Sequence, residues 1–487
     1  MSIELLLALS LAVPAAGTLL ILLLRENPNA REAASLVTAG ALFAIVLRIY
    51  GVVSSGERPE LVLAEPIRGI PIALEAEPLG VLFALIASFL WIVTTMYSIG
   101  YMRGHHEKNQ TRFYVFFAFA IASVMGVAFA GNLFTLFVFY EILSLTTFPL
   151  VTHAGTDAAR RAGRVYLGIL FGTSIAFQLL AIVWTYAVAG TLDFQAGGIL
   201  DGRLAGIAVP VLLGLFVFGI GKAAVMPFHR WLPAAMVAPT PVSALLHAVA
   251  VVKAGVFSVL KISVYVFGID FLAGAGASVW LMWAAAATII LGSLVAFTKD
   301  NLKARLAYST VSQLSYVVLG AMLANSWGVI GSGLHILMHA FGKITLFFCA
   351  GAIMVAAHKS EVSQLKGLGR TMPVTFGAFF IGTLSIVGLP PTGGSWSKWF
   401  LGVGSLEAGQ VGLMAVLMVS SLLSLAYLME IPLKGFFHKP DEPPHHEGIH
   451  EGPKWSLVAI VTTAVACLAL FLYPEPFYRL MTMVAGP

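Results

Sequence analysis

The chain reads as an all-α polytopic membrane protein, a single membrane domain over residues 1–487 with about fourteen transmembrane helices, some of them broken. Three observations predict this. Hydrophobic residues make up 59% of the 487, and Asp, Glu, Lys and Arg only 10%, against roughly 25% charged in soluble domains. Apolar runs of span length recur from end to end, and the basic residues between them fall in alternate connections. A span needs ~20 residues, because a ~30 Å hydrocarbon core is crossed at about 1.5 Å per residue. Fourteen such spans with short connections leave no room for a sizeable soluble domain.

In chain order the runs lie near 3–24, 33–54, 79–101, 113–130, 132–151, 165–188, 206–226, 240–265, 275–297, 306–323, 327–356, 373–400, 409–430 and 455–473. The first starts without preceding basic residues and is followed by Arg25, so it reads as a span and not as a cleaved leader. Eighteen Lys and Arg fall in the connections after odd-numbered spans and four on the opposite side. The positive-inside rule then places both termini outside. The longest outer loop, 55–78, carries Glu57, Glu60, Glu65, Glu75 and Glu77 together with helix-breaking prolines, and is expected to form an extended cap. The net charge of +5 is explained by this topology, and no nucleic-acid partner is read from it. Cys349 and Cys467 lie in different spans and form neither a disulfide framework nor a CxxC ligand cluster. No cofactor, metal site or enzymatic centre is therefore expected.

Arg48 sits near a span end, while Lys222, Lys253, Lys261, Lys343 and Lys398 fall within spans. Lys261 is expected to snorkel outward. A lysine at the centre of a lipid-facing helix costs ~2.5–3.5 kcal/mol, so the other four are expected to face a polar interior and mark an ion path. Glu141, alone among aromatics in the fifth span, is the matching acid. Its obvious partner is Lys222, just before Pro227, where Gly219 and Gly221 permit close helix approach. Opposite charges ~4 Å apart attract by roughly 4 kcal/mol at an effective dielectric of ~20, so a pair that opens and closes is able to drive a proton transfer. A static salt bridge is the competing reading.

Pro233, Pro239 and Pro241 break the chain after Phe228-His229-Arg230-Trp231, and broken backbone at a membrane boundary lines wet cavities or protein. His247 and Lys253 then form neighbouring stations on one polar seam. In the eleventh span His335, His339 and Lys343 recur at i, i+4 and i+8, a stripe about 12 Å long. No carboxylate or thiol beside the two histidines completes a metal site. Imidazoles that titrate near neutrality, alternating with desolvated amines, suit a proton relay. In the twelfth span Pro390 and Pro391 interrupt the helix before Lys398, which reads as an exit gate. The tenth span is rich in hydroxyls, from Tyr308 and Ser309 to Tyr316, and is expected to line the same water path. His229, His247 and Tyr316 are supporting candidates.

Lys222 and Lys398 stand 176 residues apart, each near a helix-breaking proline. Two units, about 113–265 and 275–430, each of five spans, would be inverted relative to one another, as in transporters with midplane sites.

Phe228-His-Arg-Trp-Leu-Pro, Ala238-Pro-Thr-Pro-Val-Ser-Ala-Leu-Leu-His and Val252-Lys-Ala-Gly resemble the signature of the antiporter-like subunits of respiratory complex I and of Mrp-type multisubunit cation/proton antiporters. Chain length and span count are most similar to the D-type group of Mrp subunits. The resemblance implies a Glu–Lys pair matching Glu141 and Lys222, a central lysine matching Lys253 and a twelfth-span lysine matching Lys398, with His335, His339 and Lys343 as an eleventh-span relay. Ala234 in place of the usual Asp and Ser395-Trp-Ser before Lys398 depart from the pattern and bear on subfamily. The resemblance further implies a proton-translocating subunit of a multisubunit antiporter exchanging a monovalent cation such as Na+. Its partners would be other membrane subunits and lipid, in a bacterial or archaeal cytoplasmic (inner) membrane. The alternative is a proton-pumping arm of complex I or of a membrane-bound hydrogenase. The histidine-rich stretch 438–450 reads as a solvated connection.

Overall fold

The computed structural model describes residues 3–440 and 448–486; most of the histidine-rich stretch thus lies outside the described residues. Helices α1 (Ile3–Leu23), α2 (Pro28–Ser54), α3 (Pro78–Gly104), α4 (Gln110–Ala128), α5 (Leu133–Val151) and α6 (Asp157–Ala189) are followed by α7 (Ala208–Gly219) and α8 (Thr240–Phe267). Then come α9 (Val279–Thr298), α10 (Leu302–Met322), α11 (Ser326–Ala357), α12 (Pro373–Val387), α13 (Gly394–Glu407), α14 (Val411–Phe437), α15 (Lys454–Leu472) and the short α16 (Glu475–Ala485). Among the described residues eleven helices are long and apolar enough to cross a membrane. At the places where hydropathy predicts a seventh, tenth and twelfth span stand the shorter apolar α7, the more polar α10 and the pair α12–α13.

The seventh and twelfth traverses break where the sequence places its prolines. After α7, Ala224 takes a left-handed conformation at φ 55°, and the Gly221 carbonyl accepts both from the Ala224 amide and from Trp231 Nε1, each at 3.0 Å. Gly219 packs so closely on α6 that an added Cβ would meet the Gln178 amide at 2.4 Å. Gly255 of α8 does the same against the Lys222 and Ala223 backbone, at 2.3 Å. The turn after α7 that carries Lys222 is thereby held in direct backbone contact with α8, which carries Lys253. Between α12 and α13 the chain turns at Gly388, φ 85°, and the Gly393 amide bonds to the Cys467 carbonyl of α15. α8 is buried along its length among α3, α5, α10 and α11.

The loop expected to form a cap is an antiparallel hairpin, β1 (Glu60–Ile67) and β2 (Ile70–Glu75), with Glu60 opposite Glu75. Leu74 bridges to Ala130, and Asn132 to Asp193, so the hairpin and the 190–200 loop close over one end of α8. This overturns the expectation for Lys261. Instead of reaching water it is fully buried and bonded to Glu77 Oε1 at 3.1 Å and the Ala130 carbonyl at 2.9 Å. The same carboxylate caps α3 through the Leu79 and Gly80 amides and accepts from Tyr265. Both oxygens of this carboxylate are used, so the pair is a structural brace. Lys261→Ala leaves Glu77 buried without its counter-charge, a loss of about 3–5 kcal/mol expected to appear as a lower unfolding temperature of the detergent-solubilised protein. An unchanged midpoint would remove the brace from the account.

Glu75, half-buried beside this pair, faces Lys261, Glu77, Glu60 and Arg58. Burial lifts its carboxyl from 4.5 to about 7, with Lys261 pulling the other way. A raised acid stabilises the closed hairpin fully below about pH 4.5 and loses that contribution as pH rises through about 7. Protease cleavage of the hairpin is expected to be faster at pH 8 than at pH 5, with the difference absent in Glu75→Gln.

Candidate functional site

Lys222, Lys253 and Lys343 are fully buried, and Lys398 half-buried. Three of the four are held alike, by one backbone carbonyl and one serine hydroxyl. Lys222 Nζ donates to the Tyr140 carbonyl at 2.8 Å and Ser144 Oγ at 2.6 Å. Lys343 donates to Ser309 Oγ at 2.6 Å and the Leu306 carbonyl at 3.4 Å. Lys398 donates to Val387, a carbonyl freed by the α12 break, at 3.0 Å and to Ser421 Oγ at 2.8 Å. Neutral ligands of this kind satisfy an amine as readily as an ammonium. That distinguishes these lysines from Lys261, whose side-chain partner is a carboxylate.

The direct Glu141–Lys222 pair expected from the sequence is not formed. Lys222 bonds one residue short of Glu141 and sits 3.2 Å from the centroid of the Tyr140 ring. The Glu141 carboxylate oxygens are buried with no hydrogen-bond partner among the described residues, yet close enough for their charge to act on Lys222. The physical reason is that Tyr140 and Ser144 present their oxygens one turn apart on the α5 face toward Lys222, and Glu141 projects from a different part of the helix.

The central lysine meets the eleventh-span relay directly. Lys253 Nζ lies 2.6 Å from His339 Nδ1. The His339 and His335 rings lie 5.8 Å apart, and His335 stacks on Tyr316 at 5.2 Å and 14°. Lys398 Nζ lies 4.8 Å from the Tyr316 ring, and His335 Nδ1 bonds to Ser397 at 3.0 Å. The structure thus joins Lys253, His339, His335, Tyr316 and Lys398 in one lateral seam across α8, α11, α10 and α13. The Nδ1 atoms of His339 and His335 are directed to Lys253 and Ser397, and their Nε2 atoms have no hydrogen-bond partner among the described residues. His247 lies on the π-helical turn Leu245–Val249, against Phe347 at 4.7 Å, with neither ring nitrogen bonded among the described residues and close enough to His339 and Lys343 for their charges to interact. His229 lies at the α7 break, 6.2 Å from the Tyr308 ring.

At the end opposite the hairpin, where α8 begins, a cavity of about 210 Å³ is lined by Tyr101, His105, Glu107, Thr240, Lys303 and Lys359. It gives the broken start of α8 an opening toward that end. Sequence reasoning missed Tyr140, Ser144, Ser397 and Ser421, which hold the lysines and histidines. The stripe Ser420, Ser421, Ser424 and Tyr427 in an otherwise apolar span is the signal that marks α14.

The family described as NADH:quinone oxidoreductase/Mrp antiporter, transmembrane, matches residues 130–424, a stretch that contains every station from Glu141 to Lys398. The chain is 34% identical over 430 residues to NADH-quinone oxidoreductase subunit N of Desulforudis audaxviator, covering 85% of each protein. It is 28% identical over 491 residues to the A/B component of a probable K(+)/H(+) antiporter of Rhizobium meliloti, spanning 97% of this chain and 47% of that longer one. A chain in the structure of the Mrp complex from Dietzia sp. DQ12-45-1b superposes with a TM-score of 0.87 at 24% identity, over 100% of this chain and 97% of that one, a likeness of fold. With the family match covering more than half its length, the chain belongs to the NADH:quinone oxidoreductase/Mrp antiporter transmembrane family.

Proposed function

We propose that this protein is a proton-translocating subunit of a multisubunit monovalent cation/proton antiporter, packed beside other membrane subunits in a bacterial or archaeal cytoplasmic membrane. The observation that carries the reading is the contact of Lys253 with His339 and its continuation through His335 and Tyr316 to Lys398. Protons enter at the cavity beside the start of α8, load Lys253, and pass along the seam to Lys398. Glu141 biases Lys222, and Lys222 biases Lys253 through the backbone contact at Gly255. The count of basic residues supports the hairpin and both termini facing outside. An inverted relation between 113–265 and 275–430 is supported by the like settings of Lys222 and Lys398, each beside a helix break and each held by a carbonyl and a serine.

A second reading, a proton-pumping arm of a redox enzyme, is favoured by the 34% identity to an NADH-quinone oxidoreductase component over 85% of both chains. The test is purification of the native complex followed by reconstitution. Cation-dependent proton movement in vesicles, with only hydrophobic subunits copurifying, supports the antiporter. Copurifying iron–sulfur or nickel subunits support the redox arm. Absence of proton movement under both cation gradients and electron donors overturns both.

A further inference from the structure

A groove of about 560 Å³ opens on the flank of the molecule between α6, α7 and α9. Phe177 of α6, Val211, Gly214 and Phe218 of α7, Trp280 of α9 and Phe228 line it, and none of its side chains is charged or carries a hydroxyl. The Phe228 ring lies at one end, 5.8 Å from Phe177 and 6.0 Å from Phe218, and Ile207 marks the other. At about 1.5 Å per residue the stretch of α7 from Ile207 to Phe218 is about 16 Å long, half of a ~30 Å hydrocarbon core and so the reach of one acyl chain. The flanking helices α6 and α9 turn Ile175, Val183 and Trp283 outward. The groove is therefore continuous with the surface that a membrane-spanning chain gives to lipid.

Two residues beyond Phe228 stands Arg230, which is exposed. The ring of its neighbour Trp231 meets Tyr166 of α6 edge-on at 5.5 Å. That contact sets Arg230 beside the first turns of α6, where Arg161 and Arg164 are also exposed. Other arginines at this end of the molecule are held by the fold. Arg31 and Arg103 pair with Glu32, Arg112 donates to the His153 carbonyl and Arg305 pairs with Glu430. Arg161, Arg164 and Arg230 have no ion pair and no hydrogen bond from their side chains among the described residues.

We propose that this flank binds an anionic phospholipid, its phosphate held by Arg161, Arg164 and Arg230 and one acyl chain laid in the groove. Basic residues at span ends also orient a chain during insertion, with no ligand involved. Orientation gives no reason for an apolar groove to begin two residues from one of them, nor for these three to stand free while their neighbours are paired. A phosphodiester offers the charged oxygens that guanidinium forks take best, and basic clusters beside a span draw anionic lipid to them. The apolar groove adds what a free phosphate lacks, a place for the chain. The proposal concerns the lipid-facing flank and stands apart from how protons move through the interior.

The test places the full complex in phosphatidylcholine vesicles containing a little phosphatidylglycerol that carries a diazirine on one acyl chain. After illumination the labelled peptides are mapped by mass spectrometry. Label is expected on the peptides that hold Val211 to Phe218 and Trp280, and excess unlabelled phosphatidylglycerol, but not phosphatidylcholine, is expected to compete it away. Arg161→Gln/Arg164→Gln/Arg230→Gln removes the head contacts, and Val211→Trp fills the groove. Each is expected to lower label at these peptides severalfold, with assembly on native gels unchanged. If Val211→Trp fails to assemble, the arginine variant, which alters only exposed side chains, decides. Wild-type label in the arginine variant, or equal label from a phosphatidylcholine probe, overturns the proposal by making the groove ordinary lipid-facing surface. Absence of label from the groove of the wild-type complex overturns it as well, because a neighbouring subunit then covers that face.

Discussion

Lys222→Ala and Glu141→Ala are each expected to reduce ΔpH-linked transport in everted vesicles by about a hundredfold or more, with the complex still assembled. The size of the effect follows from what each residue lacks. Glu141 is a buried carboxylate without a hydrogen bond among the described residues, a state that costs several kcal/mol unless a nearby cation or a proton compensates it. Lys222 supplies that cation from one residue away while resting on Tyr140 and Ser144. A small movement of Lys222 toward Glu141 therefore exchanges neutral ligands for a charged one and changes the potential at Lys253, against whose helix the Lys222 backbone packs. Removing either charge removes the exchange. Glu141→Gln, which keeps the shape, is expected to match Glu141→Ala. Transport at the wild-type rate in an assembled Lys222→Ala complex would leave the pair without a switching role.

Lys253→Met is the second large effect, expected to remove transport to the background of the vesicles. Methionine preserves the unbranched apolar stem, so packing on α8 is retained while the amine is lost. Lys253 is bonded to His339 and lies close enough to Lys343 for their charges to interact. On the proposed reading it stands at the head of the imidazole seam, and its loss starves that seam. An equal rate in Lys253→Met and wild type would place the central station elsewhere.

Much of the fold is legible in the sequence because hydrocarbon imposes few solutions. Span lengths, the proline breaks after Lys222 and before Lys398, and the choice of seven ionisable candidates follow from the cost of putting charge or unbonded backbone where water is excluded. The partners of those stations are not legible in the same way. Lys222 is held by a carbonyl and a serine 82 and 78 residues distant, and neither has a composition signal. Lys261 escapes sequence reasoning because snorkelling assumes open water at the helix end, and a hairpin joined to the 190–200 loop closes that end. Its partner Glu77 is 184 residues away in what reads as a charged surface loop. Ser293 of α9, Ser312 of α10 and Ser420 of α14 lie within 2.9–3.3 Å of one another, and only their meeting in space makes them a group.

The brace formed by Glu77 and Lys261 has a consequence for energy conversion. It corks one mouth of α8 with a neutralised, fully bonded pair, while the other mouth opens on a cavity. On the proposed reading, a proton taken up at Lys253 has no straight way across and is first carried sideways to Lys398, so that entry and discharge are offset and the stored gradient is guarded against short circuit. Vesicles carrying Lys261→Ala are accordingly expected to lose an imposed pH difference faster than wild type in the absence of cation exchange, and equal decay would show that the cork holds nothing back.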